Sequence, residues 1–372
     1  MGMRAFWAYL FFVFGLSALL AGVSLRERVE FRAAQANRAR QALAQIESQL
    51  ALVSPSTPYT LNPIPLPDRQ AGYTLVFVGD VMLSRGIDYM VQKYGAGDFR
   101  YPFLKIVAEL KNADFLFGNF EGPISERGAN QGSIYSFRAN PKAVAGLKFV
   151  GFDVMSVANN HIFDWGRDAL ADTLSILGIN GIKSVGVGRN YEEANRPALF
   201  ALGSSRLAVF AYTNLMPRSF EATEEHPGLS SFSVEKATEA IRAAKKEADI
   251  VIVSFHWGEE YETRANEVQK GIARALIDAG ADLIVGHHPH VAQEIAAYEV
   301  GEPRPQGGRE EYRKGWIIYS LGNFVFDQNF SEDTRRGIMV RVTVNKKIER
   351  VEPVEIRFTK TFQPYVVYNL NQ

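Results

Sequence analysis

The chain has 372 residues, 47% of them hydrophobic and 22% charged, enough to bury a sizeable core in one large or two ordinary domains and too apolar to be disordered throughout. Lysine plus arginine equals aspartate plus glutamate at 41 each, so no overall basic field recruits nucleic acid. There is no cysteine, which excludes disulfides, thiolate zinc sites and thiol nucleophiles and leaves the compartment open.

From Ala5 to Leu25 no residue is charged and Phe, Leu, Ala and Val dominate, long enough for the roughly 20 residues with which a helix spans a bilayer. Residues 1–25 are therefore read as an uncleaved transmembrane anchor. A cleaved signal peptide is the competing reading, against which stand the long apolar core and the lack of a clean A-x-A site after it. Arg4 lies on one side, and Arg26, Arg28, Arg32, Arg38 and Arg40 on the other, so the positive-inside rule alone would leave the body of the protein in the cytoplasm. Residues 26–52 continue as helix, with Ala36, Ala39, Leu43, Ile46 and Leu50 at alternating spacings of three and four. That is a short heptad-like seam, equally readable as a solvated juxtamembrane helix. Val53 to Gln70 holds five prolines and reads as a semi-rigid linker, which assigns 71–372 to one domain.

From Tyr73 onward, short apolar runs alternate with helical periods. Thr74 to Val78, Asp114 to Phe117, Phe152 to Val157, Leu207 to Tyr212, Asp249 to Phe255, Asp282 to Val285 and Trp316 to Leu321 read as strands. Tyr101 to Lys111, Arg167 to Leu177, Val234 to Ala248 and Asn266 to Ala279 read as helices. The alternation predicts an α/β domain with buried strands, and Ile338 to Val344 with Val351 to Phe358 predicts added hairpin strands at the end.

The polar residues fall where these strands end. The first ends in Gly79-Asp80, the next in Gly118-Asn119-Phe120-Glu121, the next in Ala158-Asn159-Asn160-His161, a later one in His256-Trp257, and another in Gly286-His287-His288-Pro289-His290. Three of the six histidines thus lie within four residues. Open α/β sheets bind ligands at the carboxyl ends of their strands. Each motif has an ordinary reading: Gly79-Asp80 as a turn, Asn159-Asn160-His161 as a turn or cap, His256 as a packing residue. Together they form a sulfur-free oxygen and nitrogen set suited to one or two divalent ions of Mn, Fe or Zn.

The motifs G-D-V-M-L-S-R (79–85), G-N-F-E (118–121), A-N-N-H-I-F-D-W-G (158–166), H-W-G (256–258), G-H-H-P-H-V (286–291) and S-L-G-N-F-V-F-D (320–327) resemble, in this order, those of the capsule-synthesis protein CapA family. That family is associated with poly-γ-glutamate capsules and is similar to the calcineurin-like metallophosphoesterases. The resemblance implies a four-layer α-β-β-α sandwich with metal between the sheet ends. It implies Asp80, Glu121, Asn160, His256, His288 and His290 as metal ligands, His161 as a general acid near the scissile group, and Asp164 as the carboxylate that orients it. Arg85 would supply fixed positive charge to an anionic substrate, with a surface salt bridge as its ordinary reading. Asn323 would line the cleft. Two residues depart from the phosphoesterase pattern: Glu121 stands where a bridging Asp is usual, and where D-x-H is usual this chain has Met82, which puts one metal position in doubt.

The function implied is a membrane-anchored, metal-dependent hydrolase or transferase in capsule or cell-surface polymer synthesis. Its substrate would be an anionic surface polymer or a phosphoester, and its partners the membrane and other capsule-synthesis membrane proteins, with no nucleic acid. Such a polymer lies outside the cell, and this outweighs the charge rule and orients the domain outward. The alternative is a non-catalytic component of an envelope polymer assembly or export complex, its metal site structural or vestigial.

Overall fold

The computed structural model describes residues 72–301 and 312–368. The anchor, juxtamembrane helix and linker expected over 1–25, 26–52 and 53–70 lie outside the described residues. Among the described residues no helix is long and apolar enough to cross a membrane.

The strands in chain order are β1 (Tyr73–Val81), β2 (Phe115–Phe120), β3 (Val154–Ser156), β4 (Lys183–Val185), β5 (Val187–Gly188), β6 (Ala198–Leu202), β7 (Ser205–Thr213) and β8 (Gly228–Leu229). They continue with β9 (Ile250–His256), β10 (Leu283–His287), β11 (Ile295–Gly301), β12 (Tyr312–Ile318), β13 (Asn323–Val325), β14 (Arg336–Val344), β15 (Ile348–Phe358) and β16 (Pro364–Val366). The helices are α1 (Arg85–Tyr94), α2 (Val107–Lys111), α3 (Val144–Val150), α4 (Gly166–Ile179), α5 (Tyr191–Asn195), α6 (Val234–Lys245) and α7 (Glu267–Asp278).

Two mixed sheets result. The first runs β16-β15-β14-β1-β2-β3-β4, with β13 alongside β1; the second runs β11-β12-β10-β9-β7-β6. In the first, β1 to β4 are parallel out to the β4 edge and antiparallel β14, β15 and β16 lie on the other side; in the second, parallel β12, β10, β9 and β7 are flanked by antiparallel β11 and β6.

Side-chain alternation places the layers. Ile250 and Ile252 of β9, with Leu207 and Val209 of β7, share one core with Leu75 and Phe77 of β1 in the other sheet. Val251, Val253, Ala208 and Phe210, one residue out of step, share a second core with Ile241 of α6 and Ile272 and Leu276 of α7. A period of two therefore gives the second sheet one face toward the first sheet and one toward helices. Ile87 of α1, Leu147 of α3 and Leu170 of α4 join the core of the first sheet, so helices pack against both mixed sheets of an α/β domain. Fully burying each such aliphatic side chain contributes about 1.5–3 kcal/mol. Helix α7 begins at a capping box in which Asn266 accepts from the Gln269 N–H at 2.9 Å and donates its own to Gln269 Oε1 at 3.0 Å, satisfying two otherwise orphaned donors.

Two expectations change. The helix expected over Tyr101 to Lys111 is a 3-10 turn at Tyr101–Phe103, with Pro102 in its first turn, followed by α2. Phe103, Ile106 and Leu110 are buried across the break, so packing keeps the helical spacing while the backbone between is a turn. The strand expected to run to Leu321 stops at Ile318. The chain then crosses to the other sheet, where β13 pairs with β1 and Asn323 sits in register with Asp80. Helix α1 and edge strands β6 and β11 have no counterpart among the sequence expectations.

Before β3, Asp153 accepts the Leu116 N–H at 2.8 Å, and burial pushes its carboxyl from 3.8 up to about 6. The folded state thus keeps a proton that the unfolded chain releases at lower pH, so this group's stability contribution is lost as pH rises through about 6. Asp153→Asn is expected to stabilise the protein at pH 7 by about 2 kcal/mol. Denaturant melts at pH 5 and pH 7 check it: a variant weaker at pH 7 would rule the argument out.

Candidate metal centre

The centre forms where both sheets end. His287 closes β10 in register with His256 of β9. Gly286 before it has no alternative residue, because a Cβ there would lie 1.8 Å from the Tyr319 carbonyl oxygen and 2.7 Å from Trp257 Nε1. The turn that follows holds His288 at φ 98° and His290 at φ 58°. Left-handed backbone at a residue with a Cβ costs on the order of 1–3 kcal/mol and persists where surrounding structure enforces it.

That turn faces Asp80. The carboxylate accepts the Asn119 amide at 2.8 Å and the His288 N–H at 3.3 Å, with His287 Nδ1 at 3.3 Å and His290 Nδ1 at 3.4 Å. Burial alone would raise its pKa, yet contact with His287 and His290 holds it well below the usual carboxylate range. Glu121, also buried, behaves oppositely. Burial pushes it well above the usual range, against the pull of His290. His290 Nε2 lies 3.5 Å from Glu121 Oε1. Burial disfavours its charge, but Glu121, Asp80 and Glu260 raise it to about 9.

A second group adjoins this one. Asn160 Oδ1 lies 2.8 Å from His256 Nε2, and the His256 and His288 rings are 4.9 Å apart. Burial pushes both imidazoles down, His288 to about 3, so both are neutral and their ring nitrogens can act as ligands.

His161 and Asp164 lie beside these groups. His161 Nδ1 lies 2.8 Å from Asp164 Oδ2, an oxygen that also accepts the Phe137 N–H at 2.7 Å. Phe137 packs on the imidazole with ring centroids 4.0 Å apart. His161 Nε2 points inward, 3.9 Å from Glu121 Oε1. Arg85 stands one ring further out, its guanidinium 5.1 Å from the Phe137 centroid and 3.1 Å from Asp327 Oδ1. Asn323 differs from expectation. It is 1% exposed, its oxygen 3.1 Å from His290 Nδ1 and its amide donating to Gln328 Oε1 and the Thr334 carbonyl. With its side chain so engaged it orients His290 and does not line an open cleft.

Do these residues fit a cation? Ligand atoms of Asp80, Glu121 and His290 lie within 4.8 Å of one another. Glu121 Oε1, His256 Nδ1 and His288 Nδ1 are buried with no hydrogen-bond partner. Native proteins rarely leave such atoms unsatisfied. Carboxylate and imidazole donors without sulfur suit a divalent ion of the Mn, Fe or Zn type. The residues fit.

A family model described as bacterial capsule synthesis protein PGA_cap matches residues 74–328. The chain belongs to this family. Among PGA_cap relatives, capsule biosynthesis protein CapA of Bacillus anthracis is 34% identical over 266 residues, covering 69% of this chain and 61% of that protein. The chain thus spans about three fifths of that relative's length. The PGA biosynthesis protein CapA of Bacillus subtilis is 34% identical over 273 residues, covering 73% of this chain and 67% of that protein. A solved structure of calcineurin-like phosphoesterase YfkN from Bacillus subtilis is similar at 14% identity and a TM-score of 0.40, covering 77% of this chain and 91% of that one. At that score the likeness carries no weight for activity.

Three contributors to this PGA_cap site escape motif reading. Asn119 bridges the two carboxylates, donating to Asp80 and, at 3.4 Å, to Glu121. Its place in G-N-F-E was the available signal. His287 is fully buried against Asp80, although the sequence suggested only its two neighbours as ligands. Phe137 gave no signal, because its role depends on a loop folding back over His161.

Proposed function

We propose that this PGA_cap protein is a metal-dependent hydrolase or transferase of phosphoester type, acting in synthesis of a poly-γ-glutamate-like capsule polymer. Its domain would be held at the outer face of the cell membrane by residues 1–25. One observation carries the catalytic part: a buried Asp80, Glu121 and His290 cluster with His161 Nε2 facing it and Asp164 behind. The names of the curated relatives support the pathway.

Asp80, Glu121 and His290 would hold one cation, and Asn160, His256 and His288 a second. Bound there, a divalent ion supplies an activated water and polarises the substrate. The chain does the rest. Asp164, bonded to Nδ1, fixes the orientation of the His161 ring, leaving Nε2 to deliver a proton to the leaving group. The Phe137 ring shuts water from one face of that imidazole, and Arg85 presents its guanidinium to an anionic group.

A non-catalytic accessory role draws support from Met82, which is buried with its sulfur accepting from the Ser84 hydroxyl at 3.0 Å, so β1 gives the centre Asp80 alone. Metal analysis of the full-length chain in detergent separates the two. One or two equivalents of Mn, Fe or Zn, lost in His288→Ala, with hydrolysis of bis(p-nitrophenyl) phosphate, are expected. No metal, even after addition, would overturn the enzyme reading.

A further inference from the structure

We infer that Glu260 is a metal ligand, closing the solvent side of the centre with His288 and His290. This rests on the reading of the centre as a metal site. A ligand atom from each of Glu260, His288 and His290 lies within 4.8 Å of the others. Glu260 is exposed while both imidazoles are buried, so its carboxylate reaches them from the open side. His288 Nδ1 is buried without a partner.

The loop carrying Glu260 is fixed at several points. Gly258 turns it at φ 84°, where a Cβ would meet the Gln269 side chain at 2.9 Å. Tyr261 donates its N–H to the Pro289 carbonyl at 2.8 Å, which ties the loop directly to the histidine turn. Beyond it, the Glu262 carbonyl accepts from Gln293 Nε2 at 2.7 Å. Tyr261 holds φ 67°, a third left-handed residue beside His288 and His290. The backbone therefore delivers Glu260 to one place over the turn, and a ligand held in place before the ion arrives loses little entropy on binding it.

Mn(II) titration of the full-length protein in detergent, followed calorimetrically, tests the assignment together with the visible spectrum of the Co(II)-loaded form. Glu260→Gln is expected to weaken Mn(II) binding by about tenfold or more, the loss that even groups behind the ligands produce, and to shift the Co(II) bands. Glu259→Gln, which removes the neighbouring charge, is expected to do neither. Wild-type affinity and spectrum in Glu260→Gln would overturn the assignment while leaving the metal centre standing. An equal loss in both variants would overturn it as mere loop charge. No binding by the unaltered protein would remove the centre and this ligand together.

Discussion

His161→Ala is expected to lower turnover of bis(p-nitrophenyl) phosphate by about 10²–10⁴-fold, the usual worth of a placed proton donor, while metal content stays that of the unaltered protein. The two readouts separate because His161 faces the cluster without belonging to it: Nε2 is 3.9 Å from Glu121 Oε1, whereas Nδ1 is tied to Asp164 at 2.8 Å. The alanine variant also leaves the Phe137 ring without its stacking partner, so its thermal midpoint must be measured alongside. Asp164→Asn provides the control for positioning. It keeps the shape and can still accept the Phe137 N–H, but replaces the carboxylate that holds His161 Nδ1 with a neutral amide, so it should fall between the two in rate. Unchanged turnover in His161→Ala would remove this residue from the mechanism.

Glu121→Gln is expected to reverse its effect on stability when metal is added. Without metal, Glu121 is a buried carboxylate whose Oε1 has no hydrogen bond and whose pKa is pushed well above its usual value by burial. A raised carboxyl stabilises the folded state only while protonated, so this contribution disappears as pH rises through the folded value. The neutral isostere avoids that loss, and metal-free Glu121→Gln should melt above the unaltered protein at pH 8. With metal the order inverts. At a hundredfold excess over Kd, binding stabilises by about 2.7 kcal/mol, an upward shift of about 4 °C for a domain of roughly 300 residues. The variant, lacking an anionic ligand, should gain little. Melts with and without MnCl2 decide it, and parallel shifts in both proteins would show that Glu121 holds no metal.

The two cases draw on different depths of information. Strand periodicity, the Gly-Asp, Asn-His and His-rich strand ends and their order along the chain are local, and these features carried the α/β class and the family. They worked because a buried parallel strand writes its burial into consecutive apolar residues and its end into turn chemistry. What local pattern could not show is which side chain each end turns inward. Asn119 and His287 enter the cluster because β1, β2, β9 and β10 stop at matched registers, with Asp80 opposite Asn119 and His256 opposite His287. Asn323 reaches His290 only because the chain leaves one sheet after Ile318 and joins the other at β13. Phe137 and Glu260 come from loops held by long-range hydrogen bonds, the first to Asp164 and the second to Pro289 and Gln293. The sequence by itself determined which ligand types the chain can offer a cation, since it contains no cysteine and gathers half its histidines in one turn. The tertiary structure alone decided how the carboxylates differ, because opposite pKa shifts in two equally buried groups depend on which imidazoles each one touches.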